Sequence, residues 1–126
     1  MRFIPTRVHG VLDYLTGVVL IAFPWLLGFD EGGPQTWLPV VLGAGAIVYS
    51  LLTNYELGVV KTIAMPVHLG LDAASGLLLA VSPWLFQFAD RGWAPYVVLG
   101  LFEVAVALLT QTAPARETGS AARRAV

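Results

Sequence analysis

The chain contains no cysteine. That excludes disulfides, thiol catalysis, cysteine-ligated zinc and iron–sulfur clusters, and it removes redox chemistry as a guide to compartment. Charge is scarce as well. Only 12% of the residues are charged, against about 25% in soluble domains. The net charge is −1, with no basic stripe and interleaved aromatics, so nucleic acid is not an expected partner. No nucleophile–base constellation, phosphate loop or paired metal-helix motif occurs. Gly43-Ala44-Gly45-Ala46 follows no strand and reads as a tight-packing segment. No enzyme is expected.

Apolar residues are what the chain has in excess. They make up 57% of 126 residues, and the mean hydropathy is +0.76. A single soluble core of this size cannot hide that much apolar surface, whereas a lipid bilayer can. A helix needs about 20 residues to cross the hydrocarbon. Four segments approach that length: 6–28, 37–54, 64–88 and 94–112. Gly28 to Pro34, Asn54 to Gly58 and Ala89 to Gly92 separate them. The first run follows Arg2 and Arg7 and loosely resembles a signal peptide. His9 and Asp13 interrupt it and no small-x-small site ends it, so it reads as a retained span.

The chain also repeats itself. At a shift of 59, residues 8–29 fall on 67–88 with 10 identities in 22, where chance gives about 2. His9 and Asp13 match His68 and Asp72. Gly17 matches Gly76, and Pro24-Trp25 matches Pro83-Trp84. Spans two and four correspond at a shift of 57, with Leu51-Leu52-Thr53 on Leu108-Leu109-Thr110. The expected fold class is an all-α membrane protein: a four-transmembrane-helix bundle of two tandem hairpin repeats in parallel orientation. The expected parts are a short cytoplasmic N-terminus (1–5), two hairpins (6–58 and 59–112) and a disordered cytoplasmic tail (113–126).

Arg2, Arg7, Lys61, Arg116, Arg123 and Arg124 fall on one side of this topology, and only Arg91 on the other. That places both termini in the cytoplasm. Trp25, Trp37, Trp84 and Trp93 then lie at the outer interface, where indoles prefer to sit. On a helical wheel His9, Leu12, Asp13, Thr16, Gly17, Leu20 and Pro24 share a face about 140° wide. Ser75 stands where Thr16 does in the other copy. A face kept in both copies points inward, with spans one and three opposed and Gly17 and Gly76 letting their backbones approach.

The pattern from Val67 to Trp84, His-x-x-x-Asp followed by Gly and Ser82-Pro83-Trp84, resembles the SPW-repeat family of small bacterial integral membrane proteins. The resemblance covers both hairpins, although the first copy has Phe23 where the second has Ser82. It implies a multi-pass protein of the bacterial inner membrane. It carries no activity, cofactor or substrate, and Ser82 is expected to pack or cap.

Ionisable residues within spans are functional candidates because burying them is costly. His9, Asp13, His68, Asp72 and Glu103 qualify. His and Asp at i, i+4 share one helix face. Three readings stay open. The pairs brace spans one and three in a structural or accessory membrane module, with no cofactor. They ligate a metal ion or a haem between the repeats. Or the protein is a small proton-coupled transporter using Glu103. That residue sits at mid-span, where its counterpart is Ala46, and is expected to be neutral and hydrogen-bonded, with Thr16 and Ser75 at matching depth. Tyr49 and Tyr55 read as interfacial or packing residues. The expected partners are the lipid bilayer and either a second copy of the chain or another membrane protein.

Overall fold

The computed structural model describes residues 2–113. The expected tail therefore lies outside the described residues except for its first residue, Ala113. Among the described residues there are four α-helices and one 3-10 turn, and no extended strand. Helix α1 runs Thr6–Leu26, α2 Pro34–Leu51, α3 Met65–Leu85 and α4 Ala94–Leu109, with the 3-10 turn at Ala89–Arg91. Helix α2 begins earlier than the hydropathy predicts because Pro34 supplies a first turn with its φ already set. Helix α4 ends earlier because Thr110 turns extended, at ψ 142°.

Helix α1 packs along α2, and α3 along α4, with a lighter contact between α2 and α3. Glycine sets both crossings. A Cβ on Gly43 would stand 2.6 Å from the Gly17 carbonyl oxygen, and one on Gly76 would stand 2.6 Å from that of Gly100. Gly17 and Gly76 thus bring each helix against its own hairpin partner. This corrects the expectation that they draw α1 onto α3. Those two helices face each other at a distance that side chains fill.

Both long helices end in the same way. Pro24 and Pro83 each lie within the last turn. The Phe29 N–H donates to the Pro24 carbonyl at 2.6 Å, and the Phe88 N–H to the Pro83 carbonyl at 2.8 Å. Just before each phenylalanine stands a residue with left-handed φ: Gly28 at 79° and Gln87 at 61°. This six-to-one closure buries the following apolar side chain against the helix end. Phe29 and Phe88 accordingly join Leu20, Phe23, Leu79 and Tyr96 in one core. Tyr96 stacks edge-on against Phe23 and Phe29 and donates its hydroxyl to the Gln35 carbonyl at 2.6 Å. All four tryptophans are exposed at this end.

At the opposite end the two repeats exchange backbone. Ile4, ahead of α1, bridges Thr110, behind α4. Ile63, ahead of α3, bridges Thr53, behind α2. Each helix start is thereby tied to the helix end of the other repeat. The outward surface is apolar: Val8, Val11, Leu15 and Val18 on α1, Val67, Leu77 and Val81 on α3, and Val98, Leu101 and Leu108 on α4 are all exposed. Helices α1 and α3 are long and apolar enough to cross a membrane, and α4 is apolar with 16 residues.

Candidate functional site

His9 and Asp13 lie one helical turn apart on α1, and His68 and Asp72 one turn apart on α3. All four are buried, the two histidines at 2% and 0% exposure. The four side chains meet across the space between the two helices. His9 Nε2 lies 2.6 Å from Asp72 Oδ2 and 2.9 Å from Asp13 Oδ1. His68 Nε2 lies 2.9 Å from Asp13 Oδ2 and 3.1 Å from Asp72 Oδ2. Imidazole and carboxylate alternate around a closed ring, Asp72 through one oxygen and Asp13 through both. The imidazole centroids are 5.4 Å apart, edge to face.

Two threonines fix the rings. Thr110 donates its hydroxyl proton to the Val106 carbonyl at 2.6 Å, one turn back on its own helix. Its oxygen can then only accept, and it stands 2.7 Å from His9 Nδ1. Thr53 does the same, donating to the Tyr49 carbonyl at 2.6 Å and lying 2.7 Å from His68 Nδ1. A hydroxyl has one proton to give. The network therefore assigns N–H to Nδ1 of both histidines and turns both Nε2 atoms toward the carboxylates. The backbone bridges at Thr53 and Thr110 put these hydroxyls in place. They also make the arrangement crosswise, since each repeat's histidine is held by the other repeat's threonine.

Two tyrosines complete the carboxylates. Tyr49 donates to Asp72 Oδ1, and Tyr55 donates to Asp13 Oδ2 at 2.7 Å. Tyr55 is 1% exposed. Burial and the neighbouring Asp13 carboxylate push its phenol well above the ordinary tyrosine range, which keeps it a donor. The tyrosines are thus ligands of the cluster, a correction to their reading as interfacial or packing residues. Nothing marks them in the sequence, because neither is repeated. Thr53 and Thr110 did carry a signal: a polar identity at the end of two otherwise apolar spans.

Within the ring the two histidines differ. His9 Nε2 has Asp72 Oδ2 in line as a hydrogen-bond partner. His68 Nε2 is close to both carboxylates, yet neither lies along its ring N–H direction, and this buried atom has no directed partner. Beside the ring is a cavity with about 20 Å³ open to the centre of a water molecule, walled in part by His9, Asp13, Thr16, Tyr49, Asp72 and Glu103. That is room for one water. Glu103 and Thr16 share this wall. Ser75, half-buried, is not among the lining residues.

The family enters with this geometry in view. The family model described as the SPW repeat domain matches residues 7–110. The chain belongs to the SPW repeat family. No curated protein and no solved structure matches it. Membership suggests a membrane protein of unknown function, in keeping with the two long apolar helices.

The SPW tripeptide has a local physical reason. Pro83 lacks an N–H, so it leaves the carbonyl four residues back, that of Leu79, without its helical donor. The Ser82 hydroxyl supplies the missing bond, donating to the Leu79 carbonyl at 2.7 Å. Ser82 is fully buried. In the first repeat Phe23 precedes Pro24 and has no hydroxyl to offer. Its ring stacks on Tyr96 instead.

Proposed function

We propose that this SPW repeat protein is a four-span membrane module, both termini cytoplasmic, with a structural or accessory role. In this reading its two hairpins are braced by the His/Asp ring and the Thr and Tyr side chains around it. The observation that carries it is the distribution of polarity. The outward face is apolar along α1, α3 and α4, while His9, Asp13, His68, Asp72, Thr53 and Thr110 are buried. A water-soluble protein has this order reversed. Helices of 18 and 16 residues reach about 27 and 24 Å, so α2 and α4 span with modest help from Trp37 in the first turn of α2 and Trp93 ahead of α4.

Eight side chains meet in and around the ring: Asp72 accepts from His9 and Tyr49, and Asp13 accepts from Tyr55 with both imidazole Nε2 atoms 2.9 Å away. The carboxylates stand between imidazoles whose centroids are 5.4 Å apart, which argues against a haem held between the rings.

A double-mutant cycle tests the bracing. The metal-free stability of the detergent-purified protein is measured for wild type, His9→Ala, Asp72→Ala and the pair. The expected coupling is about 1–2 kcal/mol, in the upper part of the range for polar pairs in membrane proteins. Additive losses would sink the bracing. Topology is read with single cysteines at Asp30 and Lys61, in a chain that has none of its own. An impermeant reagent on intact cells should label the first and not the second.

A further inference from the structure

The centre of the ring gathers one donor atom each from His9, Asp13, His68 and Asp72, all within 4.8 Å of one another. Two imidazoles and two carboxylates suit a first-row divalent ion, Zn²⁺ best in donor type and number. The rings already stand as a metal needs them. Each Nδ1–H is committed to a threonine oxygen, so each Nε2 faces the carboxylates. Imidazoles that hold metals have their second nitrogen fixed in this way. A further observation points to a ligand: His68 Nε2 is fully buried and, although 2.9 and 3.1 Å from two carboxylate oxygens, has neither along its N–H direction.

Charge balance favours the same reading. With Nδ1–H set on both rings, each imidazole needs one further proton at Nε2 to face the carboxylates, two in all, and the set of two imidazoles and two carboxylates is then neutral. A divalent ion in place of those two protons leaves it neutral again, so the exchange buries no net charge. The surrounding groups do not alter this balance. Tyr49 and Tyr55 reach the carboxylates as neutral donors from α2 and from the loop after it. Glu103 of α4 is set back across the water-sized cavity.

We propose that His9, Asp13, His68 and Asp72 form a four-coordinate site for a divalent transition-metal ion, which enters by displacing two shared protons. To admit it, the nitrogen–oxygen contacts of 2.6 to 3.1 Å widen and the longer donor separations, up to 4.8 Å, close toward the roughly 3.3 Å ligand spacing of a tetrahedral zinc centre. The proposal goes beyond bracing, using the same four side chains without depending on their stabilising effect.

The test uses the full chain in detergent, stripped with a chelator and titrated with Co²⁺ alone, then with Zn²⁺. The expected result is one Co²⁺ per chain with the visible bands of a four-coordinate ion, displaced by Zn²⁺, and two protons released per ion into weak buffer. Asp13→Asn with Asp72→Asn should abolish binding. Thr53→Val with Thr110→Val keeps all four ligands and should weaken it about 10- to 100-fold. Folded wild type that takes up no stoichiometric ion overturns the site. So does an ion that the Asp13→Asn/Asp72→Asn protein binds equally well. A protein that binds no ion yet shows His9–Asp72 coupling loses the metal and keeps the brace.

Discussion

The two repeats agree in backbone and differ in what they bring to the site. Each supplies one His/Asp pair, one glycine crossing, one proline-ended helix and one threonine. Only the first repeat supplies tyrosines to the carboxylates, and only the second contributes a glutamate to the cavity wall. The shared residues build a frame with near-twofold symmetry. The unshared ones make the two halves of its centre chemically unequal. His9 has a directed carboxylate and His68 does not.

The largest effect should come from the carboxylates. Asp72 has His9 in line and Tyr49 on its other oxygen. Asp72→Ala strands both partners and should cost about 3–5 kcal/mol. Asp13→Ala, which removes no in-line histidine bond, should cost less. Equal losses, read from thermal unfolding in detergent, would mean that the two halves are equivalent after all.

Next come the crossings. Gly100→Ala would press a methyl on the backbone of Gly76 and Ala80, whereas at Gly43 part of the crowding comes from the side chains of Leu20 and Ile21. Both should destabilise by about 1–3 kcal/mol, with Gly100→Ala the worse. The reverse order would show that the second hairpin is the more yielding. Ser82→Ala removes the substitute donor at the Leu79 carbonyl and should cost about 1 kcal/mol. Phe23→Ser would offer the first repeat the same bond at the expense of its ring on Tyr96, and should be a net loss. The smallest change should be a gain. Gln87 holds φ 61° where the first repeat has Gly28, so Gln87→Gly should stabilise by about 0.5 kcal/mol. A loss there would mean that the Gln87 side chain contributes more than its backbone costs.

Helices, turns and the inward His/Asp faces were legible because hydropathy and duplication are both properties of spacing along the chain. Which helix each glycine meets was not. A wheel gives a direction and no partner, and the hairpin neighbour lay in that direction as well as the opposite repeat. The threonines were visible as a match but not as ring-holders. Their role depends on the bridges from Ile4 and Ile63, which join segments distant in sequence. Tyr49, Tyr55 and the cavity beside Glu103 left no trace, because an unrepeated residue in an apolar chain looks like any other.

The crosswise threonines carry a consequence for assembly. One hairpin alone holds a histidine, an aspartate and a threonine, but its histidine finds the threonine of the other hairpin. Two identical hairpins related by a dyad would complete the same ring, each lending what its mate lacks, as in an isologous dimer. The chain has the arrangement of such a dimer made covalent, its halves joined through the segment from Tyr55 to Ala64. Fusion frees the halves from being copies, so one of them could acquire tyrosines and the other an acid, a division of labour closed to a homodimer.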